Sequence, residues 1–285
     1  MRRLRALASV LAVTGLLGGA GIAGASGTAS ASTGGGPFPG GPIIRASAPG
    51  SSALPTISAN WSGYAATSVK QFTDVHSTFV QPAITCPGAK NQWTSNWVGL
   101  DGFNDATVEQ DGSIAHCGGT DSTKPVYKAW YEMYPASSVN VFTVHPGDVM
   151  DASVNYTGGQ FVLTISDLTT GKTATDTAAC ATCERASAEW IIERPAHCSN
   201  ALTRCFLTEL ADFDSGVMGG DEAQVAGGAT KGIAGFTNYP IYMVDPLASG
   251  GFISLDTVSP LNGKTFTAIW DRPGTTTPIT LGPAG

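Results

Sequence analysis

The sequence predicts an all-β protein, a sandwich of two packed antiparallel sheets of the jelly-roll type. From residue 59 onward, short runs of alternating apolar and polar residues recur, separated by Gly, Pro, Asn and Asp. No segment beyond the N-terminal region keeps a helical apolar period for more than two turns. The tetrapeptide Thr169-Thr170-Gly171-Lys172 lies between two of these runs and is typical of a hairpin turn. These observations favour antiparallel sheets in one domain over a parallel α/β core.

The alternating runs define the predicted strands. In chain order they cover residues 60–67, 72–81, 93–100, 126–134, 140–144, 149–156, 161–168, 173–177, 188–193, 205–211, 232–238, 241–244, 252–257 and 265–270.

Three of these strands have one aliphatic face and one face that carries aromatic and acidic residues. Successive side chains of a strand point to opposite sides, so residues two apart share a face. Repeated Trp and Tyr beside carboxylates predict a concave binding surface rather than an ordinary solvated face. The residues on this second face are Trp93, Trp97, Gly99 and Asp101, then Trp130, Glu132 and Tyr134, then Glu189 and Glu193.

The N-terminus has the layout of a secretory signal peptide. Three arginines precede an apolar run over residues 7–17, and the small residues Ala29-Ser30-Ala31 follow. We expect a signal peptide over 1–31, a Gly/Pro/Ser-rich linker or propeptide over 32–57, and the β-sandwich domain over 58–285. No later segment approaches the roughly 20 apolar residues of a membrane span. The expected location is therefore extracellular, with no membrane partner.

The charge balance argues against nucleic acid as a partner. Cleavage after Ala31 would remove three of the 15 basic residues and none of the 22 acidic ones, which leaves a formal charge of −10. Binding of nucleic acid needs a basic patch that such a chain does not supply.

The six cysteines of an exported chain are expected to pair. Cys198 and Cys205 flank a polar segment and suit a clip across a loop. The spacing of the others favours Cys86 with Cys117 and a short Cys180–Cys183 link. The latter pair forms a C-x-x-C, but no second such pair and no thioredoxin-like βαβ pattern accompanies it.

The sequence lacks the signatures of several kinds of catalytic site. The four histidines stand alone, without H-E-x-x-H or an i, i+4 pair, so no metal site is expected. The chain also lacks a G-x-S-x-G elbow and a phosphate-binding loop of the G-x-x-x-x-G-K type. Phe213-Asp214-Ser215-Gly216 resembles one loop of a pepsin-like aspartic protease, but that chemistry needs two such loops. A turn is the favoured interpretation of this segment.

The residue pattern alone also allows two functions that belong to different classes of protein. Paired carboxylates among Asp101, Glu132, Glu189 and Glu193 suit a glycosidase on a jelly roll. A non-catalytic, lectin-like module would use the aromatic face for binding only.

Four motifs occur in one order along the chain: Asn60-Trp61-Ser62-Gly63, Trp97-Val98-Gly99-Leu100-Asp101-Gly102, Trp130-Tyr131-Glu132-Met133-Tyr134-Pro135 and Ala188-Glu189-Trp190-Ile191-Ile192-Glu193. Together they resemble the glutamic peptidases, the eqolisin family of acid-acting secreted endopeptidases. The resemblance covers residues 59–270.

The resemblance implies a sandwich of two curved sheets and a catalytic pair of one Gln and one Glu. The Glu closes the last motif, which makes it Glu193, and the Gln matches Gln110 within Val108-Glu109-Gln110-Asp111-Gly112. A neutral amide can donate to the oxyanion of a tetrahedral intermediate, and a carboxylate can pass a proton from water to the leaving amine. The expected substrate-binding residues are Trp61, Trp97, Asp101, Trp130, Glu132 and Tyr134.

Two departures from the family pattern are visible. Lys128 stands where fungal members have an acid, and Met133 replaces an aromatic residue. The expectation is accordingly a monomeric endopeptidase that needs no cofactor, cuts proteins or peptides at acidic pH, and differs from fungal members in subsite preference or pH range.

Overall fold

The computed structural model describes residues 37–38, 41–46, 56–88, 91–118, 121–198 and 205–279. By its internal contacts the chain divides into Met1–Ser32 and Thr33–Gly285, and every described residue belongs to the second unit. The signal peptide predicted over 1–31 lies outside the described residues. Among the residues that are described, no helix has the length and apolar character that crossing a membrane requires.

The strands of the described chain are numbered in order along the sequence. They are β1 (Pro37–Phe38), β2 (Ile57–Ser58), β3 (Trp61–Thr67), β4 (Phe72–Val80), β5 (Gln92–Leu100), β6 (Val108–Cys117), β7 (Pro125–Tyr134), β8 (Val139–Thr143), β9 (Val149–Thr157), β10 (Gln160–Asp167), β11 (Lys172–Ala178), β12 (Ser187–Glu193), β13 (Ala196–Cys198), β14 (Cys205–Leu207), β15 (Glu209–Leu210), β16 (Ser215–Val225), β17 (Lys231–Gly232), β18 (Thr237–Pro246), β19 (Phe252–Ser254), β20 (Asp256–Val258), β21 (Thr265–Trp270) and β22 (Thr277–Ile279). A 3₁₀ turn, Ile233–Gly235, precedes β18.

Two large, mainly antiparallel sheets form the molecule, which confirms the predicted all-β fold. The front sheet has the order β19-β18-β3-β12-β5-β6-β7-β8, with β2 and β15 added in parallel to β18 and β5. The back sheet has the order β11-β10-β9-β4-β16-β21-β20, with β17 beside β16. A small sheet, β1-β13-β14-β22, contains the Cys198–Cys205 disulfide.

The main core lies between the two large sheets and confirms the predicted side-chain alternation. Val98 and Leu100 of β5, with Trp190 and Ile192 of β12, are fully buried in this core. They meet apolar residues of the back sheet such as Phe79, Met150, Val154 and Ile165. Burial of alternate residues of each strand leaves the aromatic and acidic residues of β5, β7 and β12 on the opposite face of the front sheet.

All three cysteine pairs favoured by the spacing are present as disulfides: Cys86–Cys117, Cys180–Cys183 and Cys198–Cys205. The hairpin prediction at 169–172 is also confirmed. Strands β10 and β11 pair antiparallel, and Gly171 donates its N–H to the Asp167 carbonyl at 2.8 Å with a φ of +75°. Asp214, in the Asp-Ser-Gly segment, occupies a bend with a φ of +54°.

Two long strands were absent from the prediction because their sequences hide the alternation. Strand β6 buries Glu109 and Asp111 on the core side, so its pattern does not separate apolar from polar residues. In β16 an irregularity between Gly219 and Glu222 shifts the register against β4. A bulge of this kind breaks period-two alternation.

The predicted strand over 232–238 is only partly a strand. The 3₁₀ turn Ile233–Gly235 interrupts it, and its last residues join the predicted strand 241–244 within β18. Pro240 lies inside β18, where it is paired with Tyr64 of β3. Strands β2 and β19 pair with β18 only from Tyr242 onward. The missing N–H of Pro240 therefore interrupts no ladder to a second described strand.

Part of the segment predicted as linker or propeptide packs against the sandwich. Ala46 donates its N–H to the Ile57 carbonyl at 2.9 Å, and Ala59 donates to the Ile44 carbonyl at 2.7 Å. Residues 44–46 and 57–59 thus form a short antiparallel pair at one edge of the front sheet.

Candidate active site

The face of the front sheet opposite the main core carries most of the predicted site residues. In the register, Gly99 lies opposite Gln110, and Gln110 lies opposite Glu132. Glu193 lies opposite Ser95 on one side and Trp61 on the other. Paired residues of neighbouring strands point to the same side of a sheet. We call this side the cleft face, defined by Trp61, Trp97, Gln110, Trp130, Glu132, Tyr134 and Glu193.

An apolar cluster holds the three tryptophans of the cleft face in place. Trp61 and Trp97 pack edge to face with ring centroids 5.0 Å apart, and both are fully buried. Trp130 is also fully buried, and its indole Nε1 donates to Ser95 Oγ at 3.2 Å. Aromatic rings in this geometry stabilise each other beyond their buried area. The tryptophans therefore form a rigid floor.

Gln110 is held by a hydrogen bond to Glu132. The Gln110 amide Nε2 donates to Glu132 Oε2 at 2.9 Å, and both side chains are at most 1% exposed. Gly99 makes room for this arrangement, because a Cβ there would lie 3.1 Å from the Gln110 Cβ and 3.0 Å from the Trp97 ring. The amide is thus placed by its neighbours on both sides.

Glu193 receives one described donor on each carboxylate oxygen. Trp97 Nε1 donates to Oε2 at 2.8 Å, and Asn60 Nδ2 donates to Oε1 at 3.3 Å. These two donors, one on each oxygen, fix the orientation of the carboxylate. Hydrogen bonds to an ionised acceptor are among the stronger ones in proteins.

Burial raises the pKa of Glu132 well above its usual range, and the nearby Glu193 carboxylate raises it further. The hydrogen bond from Gln110 opposes this shift only in part. Two carboxyl groups that share a buried site cannot both ionise at low cost. Glu132 accordingly favours its protonated form. Its carboxyl group interacts both with the Gln110 amide, through the hydrogen bond, and with the Glu193 carboxylate, through electrostatic repulsion.

Asp101 lies just beyond the end of β5, with a φ of +70°. Its carboxylate accepts the backbone N–H groups of Arg185 and Ala186, both at 2.6 Å. These bonds anchor the chain that leads into β12, the strand that ends in Glu193. The described hydrogen bonds of Asp101 thus reach the β12 entry rather than Gln110 or Glu193.

A group of buried acids lies beside Asp101, and only Glu189 among them belongs to the predicted second face, whereas Glu109 and Asp105 were not predicted as part of any site. Burial, with Asp101 next in effect, raises the pKa of Glu109 to about 10 and that of Asp105 to about 6. Burial also raises the pKa of Glu189 well above its usual value. Because an isolated acid in a strand is normally solvated, only the register and burial reveal this group.

Asn60 contacts Glu193, although the sequence motif Asn60-Trp61-Ser62-Gly63 alone assigns it no role. It is 2% exposed, and Ser58 Oγ donates to its Oδ1 at 2.9 Å while its Nδ2 contacts Glu193. Its position directly before Trp61 was the available signal. Tyr134, by contrast, was predicted and lies half-buried at the far side of the cleft face, next to Gly41.

One group of three possible metal ligands occurs among the described residues. A carboxylate oxygen of Glu109 and the Sγ atoms of Cys180 and Cys183 lie within 4.8 Å of one another. The two cysteines are joined as a disulfide. A disulfide supplies no thiolate, so we assign these residues no ligand role.

Solved structures of glutamic peptidases have the same fold. Scytalido-glutamic peptidase with a transition state analog inhibitor is 22% identical over 75% of this chain and 98% of that chain, with a TM-score of 0.64. SCP-B, a member of the eqolisin family in complex with the tripeptide Ala-Ile-His, is 21% identical over 75% and 98%, with a TM-score of 0.62. Aspergilloglutamic peptidase from Aspergillus niger is 26% identical over 63% and 99%, with a TM-score of 0.50. No curated protein matches the chain.

The β-sandwich fold is shared with these solved glutamic peptidases. The sequence model of the Peptidase A4 family matches residues 59–255, which is more than half of the 285-residue chain. The chain belongs to this family, the eqolisins, and is a glutamic peptidase that hydrolyses peptide bonds. This finding replaces the glycosidase and lectin-like alternatives.

Proposed function

We propose that the protein is a secreted, acid-acting endopeptidase in which Glu193 and Gln110 perform catalysis. The single observation that carries the proposal is the cluster in which Gln110 is bound to Glu132 and Glu132 is electrostatically coupled to Glu193. Extracellular location is supported by the three disulfides and by the signal-like N-terminal sequence.

Glu193 is the proposed general base. As a carboxylate held by Trp97 and Asn60, it would take a proton from the attacking water and then return it to the leaving amine. An unperturbed Glu titrates near pH 4.3, so a single Glu serves as base and then acid most easily in acidic solution. An acidic pH optimum follows from this requirement.

Gln110 is the proposed oxyanion donor. The hydrogen bond from its Nε2 to Glu132 fixes the orientation of the amide. In the substrate complex the amide NH₂ would donate to the developing oxyanion. One such donor is typically worth about 10² to 10³ in rate.

Substrates are proposed to be unfolded or loosely folded proteins and peptides, cut by a monomer without a cofactor. The aromatic floor of the cleft face suits apolar side chains, since aromatic rings contribute a large contact area. Two structural relatives were solved with peptide-type ligands, scytalido-glutamic peptidase with a peptide based transition state analog and SCP-B with the tripeptide Ala-Ile-His, which supports a peptide substrate here.

The test is cleavage of a denatured protein at about pH 4, where an ordinary Glu is partly ionised. We expect Glu193→Gln and Gln110→Ala to lose about 10² or more in kcat/KM, while the exposed controls Glu184→Gln and Gln160→Ala keep the parent rate. Thermal unfolding checks that all four variants are folded. Parent-like cleavage by either site variant would refute the assignment of that residue.

A further inference from the structure

Residues 41–46 run as an extended strap along the edge of the cleft face. The Ile43 N–H donates to the Gly102 carbonyl at 3.1 Å, and the Ile44 carbonyl accepts from Ala59 N–H at 2.7 Å. The strap is therefore hydrogen-bonded through its main chain on both sides. This is the way an extended peptide binds beside a sheet, largely independent of its side chains.

Asn60 connects the strap to the proposed base. Its Oδ1 accepts the Ile44 N–H at 2.8 Å, and its Nδ2 donates to the Pro42 carbonyl at 3.4 Å and to Glu193 Oε1 at 3.3 Å. A carboxamide presents a donor and an acceptor, which matches the alternating groups of a peptide backbone. A single buried side chain thus binds peptide main chain and Glu193 together.

The strap also has side-chain contacts at the cleft. Ile43 packs on the apolar cluster that contains Trp61, and a Cβ on Gly41 would lie 3.5 Å from the Tyr134 ring. The Arg45 guanidinium donates to the Phe103 carbonyl at 2.6 Å and lies 4.6 Å from the centre of the Phe103 ring. An open pocket of about 390 Å³ borders Ile43, Arg45, Phe103 and Asp105.

We propose that Asn60 and the Gly102 carbonyl form a binding site for peptide main chain within the cleft, and that the full-length chain occupies it with its own residues 41–46. A substrate peptide with an aliphatic residue at the Ile43 position would use the same groups once the strap leaves. This inference rests on the proposed function because it places the site beside Glu193. It adds Asn60 as a substrate-binding residue and gives residues 41–46 the role of a competing ligand.

Competition of this kind has a measurable consequence. A tethered segment acts at an effective concentration in the millimolar range. The apparent affinity for an added peptide then falls in proportion to the fraction of molecules whose site is open. Weakening the strap should therefore strengthen binding of a free peptide.

The experiment measures binding of the fluorescently labelled peptide Gly-Pro-Ile-Ile-Arg-Ala to full-length chains that carry Gln110→Ala to prevent self-cleavage. We expect Ile43→Asp and Arg45→Ala to bind this peptide at least tenfold more tightly than the parent. The control Val69→Asp adds the same charge at a fully exposed apolar position and should match the parent. A control peptide with Asp in place of the first Ile should bind none of the chains.

Equal affinity of the parent, Ile43→Asp and Arg45→Ala would overturn the proposal, because the strap would then be a fixed wall of the cleft. If Ile43→Asp fails to fold, as judged by thermal unfolding, Arg45→Ala decides the outcome. Adding Asn60→Ala to the Arg45→Ala chain should abolish the gain in peptide affinity, and retention of the gain would also overturn the proposal. Binding does not require turnover, so tighter binding without any cleavage by the Gln110-containing chains would refute the proposed function and leave this inference intact.

Discussion

Glu109 is predicted to make the protein less stable as the pH rises from acidic to neutral. The side chain is fully buried on the core side of β6, and burial with the neighbouring Asp101 raises its pKa from 4.5 to about 10. The folded protein therefore keeps this proton at neutral pH, whereas the unfolded chain releases it. A proton held only by the folded state favours folding at low pH, and this contribution is lost as the pH rises from about 4.5 toward about 10.

The size of the effect follows from the interval over which only the unfolded chain ionises. Between the ordinary pKa of 4.5 and pH 7 this interval is about 2.5 pH units, and each unit corresponds to 1.36 kcal/mol. The free energy of unfolding should thus fall by about 3 kcal/mol from this one group. Since domains are typically stable by only about 5–15 kcal/mol, one such acid is a substantial part of the total.

Replacement of Glu109 by Gln removes the titration and nearly preserves the shape of the side chain. In urea unfolding we expect Glu109→Gln and the parent to differ by less than about 1 kcal/mol at pH 4, where both side chains are neutral. At pH 7 the variant should be the more stable by about 3 kcal/mol. The exposed control Glu184→Gln should follow the parent at both pH values. An unchanged pH dependence in Glu109→Gln would show that this carboxyl is not held neutral, and the reasoning would be refuted.

Three further predictions concern the site and its support. Trp97→Phe removes the indole donor to Glu193. Because a hydrogen bond to a charged group contributes about 1.5–3 kcal/mol, kcat/KM should fall about tenfold or more. An unchanged kcat/KM in steady-state kinetics would contradict this role of Trp97. Gly99→Ala places a Cβ 3.1 Å from the Gln110 Cβ and should displace the Gln110 amide, which would lower kcat by about 10². A parent-like kcat would show that the position of the Gln110 amide does not depend on the missing side chain at residue 99. Burial raises the pKa of the Asp256 carboxyl to about 7, and Asp256→Asn removes this titrating group. In thermal melts the variant should therefore lose less stability between pH 4 and pH 7 than the parent does. Equal losses would contradict the raised pKa of Asp256.

Side-chain alternation predicted the strands whose two faces differ in polarity. In β12, Ala188, Trp190 and Ile192 enter the main core, whereas Glu189 and Glu193 point to the other face, as expected from residue spacing. Strand β6 could not be found in this way because both of its faces are buried and its core face carries two acids. Its pattern makes sense only when β5 and β7 surround it on both sides.

The proposed catalytic pair was assigned by resemblance, whereas its environment required the folded chain. Motif order assigned Gln110 and Glu193, which lie 83 positions apart in the chain. Their shared neighbour Glu132, the donors to Glu193 and the strap bound by Asn60 involve contacts between residues distant in sequence. Composition and spacing contain no information about such distances.

Local sequence was sufficient for the all-β class and for the side of the sheet on which the acids of β7 and β12 lie, and it favoured the cysteine pairs that the structure contains. These properties depend on backbone periodicity and on short-range chain geometry, which adjacent residues set directly. The tertiary structure decided which acids stay protonated, which side chains orient Gln110 and Glu193, and which segment lies along the cleft. Those outcomes depend on desolvation and on contacts among strands β5, β6, β7 and β12, and both arise only when the sheets pack.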